Sequence, residues 1–269
     1  MFILIDKPPG ITSFKALHGI KKKFNTKRAG HAGTLDLAAS GLIIAAIGKC
    51  TRLLPYMEAQ DKTYSFDLRL GISTDTLEPT GNILKEDKNS ARTPEQIDSA
   101  LQAFIGEIEQ VPPAFSAIKI NGKRSSDLAL KGLEAELKPR KIVIHELRRI
   151  SGTSIYCKCS KGTYIRSLAR DIAEKLGTCG VAGCIRRLAI GGISVEQASE
   201  KLIPPQELFN WQIASVSDEE AKKILNGVVV ASGQWLVASG GNPVFIANNE
   251  QIIAVAEIKN GYILPKFLL

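Results

Sequence analysis

Residues 63–70 read TYSFDLRL, and their strict alternation is the tightest constraint the chain places on its own fold. Tyr64, Phe66, Leu68 and Leu70 share one face of an extended strand, and Thr63, Ser65, Asp67 and Arg69 share the other. A second segment has a different period. Ile165, Leu168, Ala169, Ile172 and Leu176 recur at helical spacing and stop at Gly177, so residues 165–176 form an amphipathic helix.

Other elements fall around these two. Phe2 to Asp6 reads as a short buried strand, broken by Lys7-Pro8-Pro9-Gly10. Thr12 or Ser13 can cap a helix in which Phe14, Leu17, Ile20 and Phe24 recur, with Lys21, Lys22 and Lys23 at its C-terminal end. Those lysines suit either a solvated helix end or a phosphate contact. Residues 25–40 are polar and contain glycine, which predicts a loop, and 41–47 predict a buried strand or a short helix. Residues 71–92 predict a loop or hairpin insertion. Thr93-Pro94-Glu95-Gln96 is a helix start, followed by an apolar face of Ile97, Ala100, Leu101, Phe104 and Ile105. Strands are expected at 141–147 and 154–160.

Pro204-Pro205 marks a domain boundary. Beyond it, Ser217 and Glu220 form a capping box for a short helix ending at Gly227. Turn signals then stand at Gly240-Gly241, Asn248-Asn249 and Asn260-Gly261. The expected organisation is a larger domain over 1–209 and a small, mostly β module over 210–269, which 269 residues accommodate.

The net charge of +8 favours polyanionic partners. The five cysteines include no CxxC pair and accompany only three histidines. That supports neither a disulfide framework nor a zinc site, and suits reduced thiols in the cytoplasm. No apolar run is long enough to cross a bilayer, and the N-terminus does not read as a signal peptide. No phosphate-binding glycine motif follows a strand, and the few histidines leave little for a Ser-His-Asp triad.

Two segments can carry chemistry. Asp36 lies in a loop of small and polar residues whose glycines let a ligand come close. Spacing alone reads it as a turn or cap residue sooner than as a catalyst. The stretch KCSKGTYIRSLAR surrounds Tyr164 with Lys158, Lys161, Arg166 and Arg170. This is either a solvated helix face or a site for an unstacked base and its phosphates. Tyr64 can be core, or, at the start of its strand, can face a cleft.

GHAGTLDLAASGLIIAAIGKCTR (residues 30–52) resembles the catalytic motif of the TruB family of tRNA pseudouridine synthases. The resemblance extends through LIDKPPGITS (4–13), KTYSFDLRLGISTDTLEPTG (62–81), VPPAFSAIKINGKR (111–124), CSKGTYIRSLARDIAEKLG (159–177) and IRRLAIGG (185–192). These blocks stand in the family's order across most of the first 200 residues.

The resemblance implies an α+β catalytic domain built on a largely antiparallel mixed sheet, with a small PUA-like RNA-binding module at the C-terminus. It implies isomerisation of uridine-55 in the T-loop of tRNA to pseudouridine, by a cytoplasmic monomer that needs no guide RNA, cofactor or metal. Asp36 matches the catalytic aspartate, which acts at the sugar C1′ as nucleophile or in a glycal-type route. Arg166 matches the arginine that pairs with it. Tyr64 matches the tyrosine that stacks on the base and is a candidate for the C5 proton transfer. His31 and Tyr164 match substrate-binding positions. Ile185 stands where leucine usually lines the uracil pocket. Lys7 and Ser13 match a supporting N-terminal block. Leu37, Ser126 and Leu130 depart from the family's usual proline, tyrosine and arginine.

Overall fold

The computed structural model describes residues 1–120, 122–133, 136–231 and 243–269. In chain order its first elements are β1 (Phe2–Lys7), α1 (Ser13–Lys23), β2 (Ala29–Ala32), β3 (Ser40–Ile47), α2 (Leu54–Glu58), β4 (Lys62–Leu70) and the hairpin β5 (Ile72–Thr74) and β6 (Ile83–Glu86). Then come α3 (Pro94–Gln102), β7 (Gly106–Gln110), the short pair β8 (Lys119–Ile120) and β9 (Lys123–Arg124), α4 (Ser125–Ala129), β10 (Arg140–Ser151), β11 (Ser154–Cys159), α5 (Ile165–Lys175) and β12 (Gly180–Ile190). The chain continues through β13 (Ile193–Ser194), β14 (Ser199–Ile203), α6 (Pro205–Leu208), β15 (Ile213–Ser215), α7 (Asp218–Leu225), β16 (Val230–Ala231), β17 (Val244–Asn248), β18 (Gln251–Lys259) and β19 (Tyr262–Leu268).

The alternating segment is β4, an interior strand of one large sheet ordered β14-β1-β3-β12-β4-β11-β10-β7, with β2 on β3 and β13 on β12. All pairings are antiparallel except a short parallel contact between β3 and β12, where Gly41 lies opposite Arg187. Phe66 and Leu68 are buried as the alternation requires. They pack with Ile97 and Leu101 of α3 and with Ile165, Leu168 and Ile172 of α5. The same face continues under β1 and β3, where Leu17 and Ile20 of α1 cover Ile3 and Ala45, while Phe2, Leu4, Leu42 and Ile44 point to the opposite face. The mixed α+β architecture predicted from the sequence is the one observed.

Local chemistry sets several element ends as expected. Thr12 rather than Ser13 caps α1, accepting from the Lys15 N–H. The capping boxes at Thr93/Gln96 and Ser217/Glu220 are both closed. The Asn249 and Asn260 turns sit at positive φ between β17, β18 and β19. The Gly240-Gly241 signal lies outside the described residues.

Three expectations need correction. Residues 25–40 are not all loop: β2 pairs antiparallel with β3, His31 opposite Ala45. A four-residue strand of small residues has no alternation to read, and its pairing comes from a distant neighbour. Phe14 is not on the buried face of α1 but is 71% exposed. Helix α3 stops at Gln102, leaving Ile105 exposed beyond it.

The later strands form a second sheet, β15-β17-β18-β19-β16, with α7 burying Ala221 and Ile224 against it. Its outer residues Phe245 and Val255 join Phe2, Leu4, Leu42 and Phe209 in one hydrophobic cluster. Phe209 and Trp211 stack at 4.4 Å between centroids within it. The two sheets therefore share apolar contacts across Pro204-Pro205.

The parallel contact is possible because residue 41 is glycine. Gly41 has φ +106, and a Cβ there would lie 2.2 Å from the Arg187 carbonyl oxygen. Gly41→Ala is expected to cost on the order of 2–4 kcal/mol through backbone strain and overlap. Urea unfolding of the variant measures it, and a wild-type midpoint would contradict the tight approach.

Candidate active site

Asp36 sits in the loop between β2 and β3, and that loop is held from several sides. The Ser13 hydroxyl accepts from the Leu35 N–H at 2.9 Å and donates to the Leu35 carbonyl at 3.2 Å. The Gly10 N–H donates to the Leu37 carbonyl at 2.8 Å. Leu35 and Ala39 are buried in the main core. Fixed at both neighbours, Asp36 is left to project its carboxylate, which is 40% exposed. Leu37 makes its turn contact through the backbone, so the usual proline is not needed for it.

The carboxylate meets Arg166, in the first turn of α5 and almost fully buried. Arg166 Nη2 donates to Asp36 Oδ1 at 3.0 Å, and Nε lies 2.9 Å from Oδ2. The same guanidinium donates to the carbonyls of Thr76 and Phe115 at 2.8 and 2.9 Å. Glu78 Oε1 lies 3.8 Å from Nε, so two carboxylates face one cation. Burial pushes the Glu78 carboxyl above its ordinary range and Asp36 adds to this, while Arg166 opposes it.

These groups open onto a cavity of about 470 Å³. Asp36, Tyr64, Tyr164 and Arg166 line it together with Lys62 and Arg187. Four residues predicted from distant blocks are thus brought to one site. Tyr164 is fixed by the buried Gln110, which accepts from its N–H at 2.8 Å and donates to its carbonyl at 3.2 Å. Its ring lies 5.6 Å from the Arg140 guanidinium. Burial pushes the Tyr64 hydroxyl up to about 12, against a hydrogen bond with Arg187.

The remaining predicted residues sit behind this wall. Lys7 is fully buried and donates to the carbonyls of Pro8 and Ile11 at 3.0 and 2.8 Å, tying the turn beneath Asp36. Burial lowers its pKa and Asp36 opposes the shift. His31 is half-buried on β2, and burial followed by Arg187 lowers its pKa. Ile185 packs in the core with Leu35 and Ala39 rather than on the cavity wall. Arg166 and Arg170 are not free for phosphates, since Arg170 pairs with Asp171 at 2.7 Å. Lys158 and Lys161 are exposed. Ser126 lines the cavity, whereas Leu130 is exposed.

Arg187, Lys62 and Glu78 were not singled out by sequence reasoning. Arg187 is 1% exposed and donates to Leu42 and Gly33 at 2.7 and 3.0 Å, bracing both ends of the Asp36 loop. The doubled arginine of IRRLAIGG was the one available signal. Alternation in β12 sends Arg187 inward and Arg186 outward, where it pairs with Asp6.

A family model described as TruB family pseudouridylate synthase (N terminal domain) matches residues 21–165. Proteins named tRNA pseudouridine synthase B align over most of the chain. That of Aquifex aeolicus is 36% identical, covering 99% of this chain and 98% of its own. That of Caulobacter sp. (strain K31) is 34% identical over 98% and 94%. This chain belongs to the TruB family. Among solved structures, a Cbf5-Nop10-Gar1 complex matches with TM-score 0.66 at 22% identity over 99% of this chain and 84% of that one, which shows a shared fold. As a TruB-family pseudouridine synthase, the chain is an isomerase, and the Asp36 cavity is its candidate active site.

Two predictions follow from the cations here. Lysine at 166 keeps a charge but cannot reach Asp36, Thr76 and Phe115 together. Arg166→Lys should lower turnover about 100-fold or more through misplacement of Asp36, and near-wild-type turnover would contradict the positioning role. Lys62 is buried, and burial followed by Arg187 pushes its ammonium down to about 8 from 10.5. Between those values the unfolded chain holds the proton that the folded chain has lost, so this group's contribution to stability rises with pH. Below about 8 both states are protonated and the full burial cost stands. Urea unfolding of wild type and Lys62→Met from neutral to alkaline pH should show wild type gaining relative stability only above about 8; a constant difference would contradict it.

Proposed function

We propose that this chain isomerises uridine-55 in the T-loop of tRNA to pseudouridine, acting alone in the cytoplasm without a guide RNA. The observation that carries the reading is the Asp36–Arg166 pair at the edge of a cavity lined by Tyr64 and Tyr164. The relatives that align end to end are named for tRNA.

A uridine inside a stacked arm cannot reach a recessed carboxylate, so the target leaves the stack and enters the cavity. Tyr64 gives the base a face to stack on. Its hydroxyl, pushed up to about 12, is neutral at physiological pH, which favours the platform role over that of a resting base. Asp36, aimed by two guanidinium nitrogens, acts at the sugar C1′ as the N1–C1′ bond breaks. It serves as nucleophile or as the acceptor of a sugar proton. Uracil turns and C5 bonds to C1′, displacing Asp36 where it had attacked that carbon or adding to the glycal as the sugar proton returns. C5 then gives up its proton and N1 takes one up. His31, Lys7 and Ile185 support the wall of the site from behind. Residues 210–269 serve as a PUA-like RNA-binding module, braced against the catalytic sheet through Phe209 and Phe245. Exposed Lys161, between the cavity-lining Ser160 and Gly162, is suited to a phosphate.

The test is tritium release from tRNA labelled at C5 of uridine, with the modified position mapped in the product. The purified chain alone should form pseudouridine at position 55. Asp36→Asn should lose turnover by about 1,000-fold or more while retaining tRNA affinity. Wild-type turnover in the variant would remove Asp36 from the chemistry. Product at another position, or a need for added RNA, would overturn the assignment of substrate.

A further inference from the structure

The chemistry assigned to Asp36 leaves one buried cation of the cavity unused. Lys62 stands two residues before Tyr64 on β4, so both side chains lie on the same face of the strand. They are roughly 6.5–7 Å apart along it, about the width of a pyrimidine with its substituents. Both line the cavity. Lys62 Nζ donates to the carbonyls of Glu58 and Gln60 at 2.5 and 2.6 Å. These bonds fix the ammonium at the end of α2. An ammonium carries three donors, and the third N–H meets no acceptor among the described residues. Arg187, opposite Tyr64 on β12, is turned to the Asp36 loop instead: its Nε and Nη2 donate to the carbonyls of Leu42 and Gly33.

We propose that Lys62 reads the pyrimidine, donating its remaining N–H to a ring carbonyl of the uracil that lies on Tyr64. This rests on the placement of the target base on Tyr64. Uracil presents a carbonyl at both C2 and C4, whereas cytosine presents an amino group at C4. A fixed donor therefore accepts the first and opposes the second at that edge. The reaction adds a further constraint. Between cleavage of N1–C1′ and formation of C5–C1′, the ring turns about the line through N3 and C6. That turn exchanges N1 with C5 and C2 with C4. A donor at the carbonyl edge thus meets one carbonyl in the substrate and the other in the product, without moving. No group is consumed: overall C5 loses a proton and N1 gains one, and Lys62 takes part in neither transfer. Burial already weakens the hold of Lys62 on its proton, so a further acceptor in the dry cavity stabilises the charged form.

The experiment uses the intact protein and C5-tritiated T-arm hairpins carrying uridine, 2-thiouridine or 4-thiouridine at the target. Sulfur is a poorer acceptor than oxygen. At least one thio hairpin should react roughly 10- to 100-fold more slowly than the uridine hairpin with wild type. With Lys62→Met, which keeps the stem and removes the donors, thio and oxo hairpins should react at similar rates. Binding of a target-cytidine hairpin should also approach that of the uridine hairpin. If both thio hairpins match uridine with wild type, or if the sulfur effect persists in Lys62→Met, Lys62 is not the reader. Should Lys62→Met fail to fold, the wild-type comparison decides alone. No release from the unmodified hairpin would overturn the proposed substrate as well, whereas release insensitive to sulfur overturns only the role of Lys62.

Discussion

The guanidinium of Arg166 is the interaction on which the site depends. It draws together residues 36, 76, 115 and 166, which come from the β2–β3 loop, the β5–β6 hairpin, the segment after β7 and the start of α5. A buried arginine is costly unless its donors are met. Here the two terminal nitrogens donate to two backbone carbonyls and to Asp36, and Nε, which makes no hydrogen bond among the described residues, faces Asp36 and Glu78 as an ion pair. The consequence is preorganisation: Asp36 is aimed by fixed dipoles and charge, so little rearrangement is needed when a sugar arrives.

A second cation makes that aim possible from below. Arg187 reaches the carbonyls of Gly33 and Leu42, on either side of the loop that carries Asp36. It can do so because β3 and β12 approach side by side at Gly41, where any Cβ would strike the Arg187 backbone. The same residue is paired with Tyr64 across β12 and β4, so the platform and the carboxylate share a support. Lys62, Arg166 and Arg187 line the cavity with Asp36 and Glu58, and Lys7 stands behind it, leaving it suited to an anionic backbone and to a base rich in acceptors.

Much of the fold was legible because it rests on local rules. The period-two pattern at 63–70 placed β4, and the Thr93 and Ser217 boxes placed the starts of α3 and α7. What escaped was decided by partners far away. β2 has no pattern of its own and exists through β3. Phe14 fits a helical apolar face in sequence, yet the sheet that α1 covers reaches only Leu17 and Ile20. In the site, the family blocks named Asp36, Tyr64, Tyr164 and Arg166, which converge on the cavity. Ile185 carried the same kind of expectation and lies in the core, two residues before Arg187 on the same strand.

The sequence by itself determined which segments are strands and helices, and which residues are chemically able to act. Those properties depend on spacing and side-chain type within a few residues. Spacing alone left Arg166 on a solvated helix face or at a base site, and the family resemblance paired it with Asp36. Only the tertiary structure decided that Thr76, Phe115 and Glu78 share the same cation. Burial then forces its donors onto Asp36 and two carbonyls, because an arginine out of water must find its partners inside.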